Sequence, residues 1–77
     1  MENQTAQFIK QELKKMAQSI DMWTEHLDWH EKHVDMSDEI NRLYSARIKG
    51  RIDSLKLMRD TFNILLTKYE KMDESSD

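Results

Sequence analysis

His26, His30 and His33 stand at i, i+4 and i+7, a spacing that brings three imidazoles onto one side of a helix. Histidines four residues apart can share a metal ion, and Glu31 lies in the same stretch. A helical metal site also needs inward carboxylates, and no Glu-x-x-His pair occurs in the chain. His30 falls on an apolar seam described below, whereas His26 and His33 fall at its edge. One core histidine and two rim histidines are therefore expected, with no metal and no other cofactor.

Catalytic chemistry finds little else to work with. The chain has no cysteine, no glycine-rich phosphate loop and no Gly-x-Ser-x-Gly elbow. Asp38-Glu39 and Asp73-Glu74 are paired acids, but one pair opens a helix and the other belongs to a polar tail. Capping and solvation account for both. A two-helix hairpin also encloses little volume from which water can be excluded. No enzyme is expected.

Nucleic acid binding is the alternative that a charge count raises. Residues 42–59 carry Arg42, Arg47, Lys49, Arg51, Lys56 and Arg59 against Asp53. Arg42, Arg47, Lys49 and Arg51 would be the contacts to RNA or DNA. The net charge of −3 opposes general binding, and the basic side chains spread over several helical faces. A simpler account is compensation: residues 21–39 carry seven acids against Lys32.

The elements that must position these residues are helices. The chain has 77 residues, one glycine and no proline, which leaves almost no turn chemistry for a many-stranded sheet. Such a short chain without cysteine has no disulfide staple and is expected to need a partner. The longest aliphatic run is Ile64-Leu65-Leu66, too short to span a bilayer. The start, Met1-Glu2-Asn3-Gln4, shows no basic segment followed by an apolar one, so a cytoplasmic setting is expected.

Ile9, Leu13, Met16, Ile20, Trp23, Leu27, His30 and Val34 recur at alternating steps of four and three, a heptad seam. Asn3 or Thr5 can cap its start. Tyr44, Ile48, Arg51, Leu55, Met58, Phe62, Leu65, Tyr69 and Met72 repeat the pattern. The two seams are out of phase across Asp35–Glu39, where Ser37 can cap a second helix. The expected fold is all-α: an antiparallel two-helix hairpin, coiled-coil-like, with helices over about 4–35 and 38–72 and a turn over about 35–38. Residues 73–77 are expected to form a disordered acidic tail. Gly50 offers a place for the second helix to break, but the seam runs through it, so an unbroken helix is expected.

Folding at residue 36 pairs Ala6 with Leu65, Ile9 with Phe62, Leu13 with Met58 and Met16 with Leu55. It continues with Ile20 and Arg51, Trp23 and Ile48, Leu27 and Tyr44, and His30 and Asn41. The polar pair His30–Asn41 supports this register, because a buried polar group wants a partner. Arg51 would have to snorkel outward. The same fold lays the acidic stretch of helix 1 beside the basic stretch of helix 2.

A second apolar stripe is left over. Phe8, Met22, Trp29 and Met36 on helix 1, and Leu43, Gly50, Leu57 and Ile64 on helix 2, occupy one heptad position that should face solvent. In the expected register both stripes line one side of the hairpin. Left in water they form a patch larger than soluble monomers usually carry. The expected occupant is a second copy, giving a four-helix bundle, or a foreign helix. The expected function is that of a small protein-binding module acting as an adaptor, regulator or inhibitor.

Overall fold

The computed structural model describes the backbone of residues 4–75 and the side-chain surroundings of residues 4–71. Two helices follow one another, α1 over Gln4–His33 and α2 over Glu39–Ser75. They lie antiparallel along most of their length in a rod with Cα extents of 60 × 14 × 12 Å. Helix α1 stops two residues before the expected end, and α2 runs three residues past it. The expected tail is therefore helical as far as Ser75, since no glycine or proline stands near to stop it. Residues 76 and 77 lie outside the described residues, as does Asn3; Thr5 lies inside α1. Helix α2 passes through Gly50 without a break.

The turn is tied by hydrogen bonds centred on Asp35. Its Oδ1 accepts from the Ser37 hydroxyl at 2.6 Å and from the Ser37 N–H at 2.9 Å. Its carbonyl accepts from the Asn41 amide at 2.9 Å. Arg42 reaches back from α2 to the carbonyls of Ser37 at 2.7 Å and Met36 at 3.2 Å. The helix cap is Asp38 rather than Ser37. Asp38 Oδ1 accepts from the Ile40 N–H at 2.8 Å, and its carbonyl accepts the Arg42 N–H at 3.1 Å. Ser37 is one residue too early because its hydroxyl is already committed to Asp35.

The seam of α1 is buried as expected at Ala6, Ile9, Met16, Ile20 and His30. In α2 one of the two expected columns holds: Ile48 is buried, and Leu55, Phe62 and Tyr69 are half-buried. The other column is displaced by one residue. Ser45 and Ile52 are buried and Arg59 and Leu66 half-buried, whereas Tyr44 is 42% exposed and Met58 50% exposed. Arg51 is exposed as well. Leu27–Tyr44, Leu13–Met58 and Ile20–Arg51 are therefore not core layers.

The reason is the cost of burying a guanidinium in the middle of a two-helix interface. Turning α2 by one column replaces Arg51 with Ile52 there. Arg59, which enters in exchange, keeps its head in water beside Asp60, 3.2 Å away. His30 and Asn41 do meet near the turn, through the Asn41 backbone carbonyl at 3.2 Å from Nε2. A carbonyl only accepts, so His30 carries its proton on Nε2.

Candidate docking face

The two flanks of the hairpin differ in chemistry. One is a ladder of ion pairs, with Lys49 and Glu31 at 3.4 Å and Lys10 and Glu70 at 3.7 Å. Exposed pairs of this kind contribute about 0–1 kcal/mol each. Lys49–Glu31 links the acidic stretch of α1 to the basic stretch of α2, Lys10–Glu70 has the opposite polarity near the open end, and both fit the antiparallel arrangement. The opposite flank is aromatic near the turn. His26 Nε2 and Tyr44 Oη lie 2.7 Å apart, the His30 and Tyr44 rings 4.7 Å, and Arg51 sits over Trp23.

Beyond this flank the apolar side chains continue onto the back of α2. Gly50 lies two residues from both Ile48 and Ile52, and Leu57 two residues from both Leu55 and Arg59. Two residues is about 200° of helix, so both point away from the interface with α1. Leu57 is 69% exposed and Ile64 71% exposed; Leu43 is exposed on the same line. On α1, Phe8, Met22 and Trp29 are exposed, and Met36, in the turn, is half-buried.

The expected geometry of the two stripes is corrected here. The one-column turn of α2 moves Leu43, Gly50, Leu57 and Ile64 from the flank to the rear of the helix. Tyr44, Arg51 and Met58 take the flank in their place, while Leu65 stays half-buried beside Leu66. The result is a broad face rather than two facing stripes. It runs from Met22 and Trp29 across Tyr44 and Met58 to Leu57 and Ile64. Its shallow hollow is lined by Arg47, Gly50, Arg51, Ser54, Leu55 and Met58. A Cβ added to Gly50 would meet nothing within 4 Å, so the hairpin itself does not require glycine there. Tyr44 and Met58 were missed as surface residues because they fit an apolar seam; Arg51 in their column was the signal that the column faces out.

The histidines have separate engagements. His26 meets Tyr44, His30 donates to the Asn41 carbonyl, and His33 donates from Nδ1 to the Trp29 carbonyl at 2.9 Å. His33 also stacks on Trp29 with ring centroids 4.7 Å apart. Among the described residues no group of three or more His, Asp or Glu side chains converges as a metal site. The basic residues proposed for nucleic acid are also occupied in large part. Arg42 clamps the turn, Lys49 pairs with Glu31, and Arg51 covers Trp23. Arg47 lines the hollow.

No helix among the described residues is long and apolar enough to cross a membrane. Comparison of the chain with protein-family models, curated proteins and solved structures finds no match to any of them.

Proposed function

We propose that this chain is a cytoplasmic, non-enzymatic docking module that binds protein through its exposed apolar face, as an adaptor, regulator or inhibitor. The observation that carries this reading is the position of Leu57 and Ile64. They stand on the side of α2 opposite the core and remain about seven-tenths exposed. A helix that carries large aliphatic side chains on its rear as well as on its front offers a second surface to be covered. Burying a side chain of this size contributes about 1.5–3 kcal/mol, so a few of them hold a partner. Methionines such as Met22 and Met58 adapt to the surface they meet.

The test is affinity purification from nuclease-treated native extract, comparing the native chain with a Trp29→Glu, Leu57→Glu variant and a Lys56→Glu control. A protein that co-purifies with the native chain and the control, and is lost with the double variant, supports the reading. Retention by the double variant refutes it.

A further inference from the structure

We infer that the rear face of α2 is covered by a second copy of this chain, α2 packing antiparallel on α2 with the two-fold axis at Ser54. This rests on the reading of the face as a docking surface and names its occupant.

The first argument is area. The chain exposes 6136 Å², about 1,100 Å² more than the roughly 5,000 Å² of a compact monomer of its mass. No large side chain among the described residues is fully enclosed. The excess is that of a rod 60 × 14 × 12 Å in Cα extents, and a second rod packed lengthwise along it is what reduces it. A hairpin with so thin a core gains most from a partner that is always present at its own concentration.

The second argument is self-complementarity. In an isologous contact, residue i meets j while j meets i. An antiparallel pairing centred on Ser54 sets Leu43 against Ile64 of the second copy, and Gly50 against Leu57 of the second copy. In the neighbouring column Tyr44 meets Leu65 of the second copy, and Arg51 lays its stem beside Met58. Large side chains close both ends and meet the small Gly50 and Ser54 at the centre. No other axis one heptad away does this. Centred on Arg47, the arginines of both copies collide; centred on Thr61, Gly50 faces Lys71 of the second copy in place of Leu57. The pairing also gives a use to Gly50, whose missing side chain nothing within the hairpin demands.

The chain has no cysteine, so Ser54→Cys places a single thiol at the axis and Lys56→Cys one on the charged flank. Under mild oxidation the first should form a covalent dimer on a non-reducing gel and the second should not. Sedimentation should find the native chain dimeric across the micromolar range and Leu57→Glu monomeric. The cross-link is read in an otherwise native chain, so it stands even where Leu57→Glu folds poorly. A monomeric native chain overturns the second copy while leaving the docking reading to its own test. A dimer lacking the Ser54→Cys link, or one indifferent to Leu57→Glu, overturns the α2–α2 pairing.

Discussion

The guanidinium of Arg51 lies over the indole of Trp23, 4.9 Å from the ring centroid. This contact marks where the two helices stop being a regular heptad pair. Arg51 occupies a seam position by spacing, yet it sits outside the interface and caps the half-buried face of Trp23. Ile52 fills the layer instead. One cation–aromatic contact on the flank and one aliphatic residue in the core replace a buried charge.

Arg51→Ala should destabilise the hairpin by about 0.5–1 kcal/mol, the range for a partly exposed cation–aromatic pair. Arg51→Lys should recover part of that. A double-mutant cycle with Trp23→Leu, followed by urea unfolding, isolates the pair. A coupling energy near zero would show that the stacking contributes nothing.

Ser45 entered the core with the same turn of α2, and its hydroxyl has no hydrogen-bond partner. An unsatisfied buried hydroxyl costs about 1–3 kcal/mol. Ser45→Ala should therefore raise stability by about 1 kcal/mol, helped by the better helix propensity of alanine. A lower urea midpoint for the variant would mean that the hydroxyl is satisfied in solution.

These two residues also show how far the sequence could be read. The hairpin, its turn, the α1 seam and the Ile48–Leu55–Phe62 column follow from spacing alone. The second α2 column does not. Tyr44, Arg51, Met58 and Leu65 compete with Ser45, Ile52, Arg59 and Leu66, and the first set has more apolar members. Counting apolar residues favours it; the position of the charge decides against it, because Arg51 would lie mid-interface and Arg59 lies where its head can reach water. The docking residues were legible as a leftover stripe. Their place on the rear of α2 was not, since it depends on that one-column choice.

Acid should loosen the turn before the helices. Two donors from Ser37, the hydroxyl first and the backbone N–H second, hold the Asp35 carboxyl below its ordinary value. A carboxyl lowered on folding contributes stability above its unfolded pKa and loses it as pH falls through the folded one. Amide protection at Ser37 should therefore fall on the acid side of the usual carboxylate range, and Asp35→Asn should remove that dependence. Unchanged protection through the same range would place the carboxylate outside the folding linkage.

A gel-shift assay at low salt should find no retardation of RNA or DNA, because Arg42, Lys49 and Arg51 are spent within the chain. Lys49→Glu should instead act on stability, costing about 1 kcal/mol at most through the lost pair with Glu31. A retarded band that vanishes steeply with salt and with Lys49→Glu would favour nucleic acid over protein docking.

Gly50→Ala separates the hairpin from its assembly by sign. Within one chain the substitution fills open space, and alanine exceeds glycine in a helix interior by about 1 kcal/mol. A free hairpin should therefore melt higher. In the α2–α2 pairing Gly50 lies beneath Leu57 of the second copy, and a methyl group there pushes the helices apart. The variant should then dissociate at higher concentration than the native chain while each dissociated copy is more helical. Circular dichroism over a dilution series reads both effects at once. Higher helicity with unaltered association would place Gly50 outside the contact; weaker association with higher helicity is the result that the pairing at Ser54 requires.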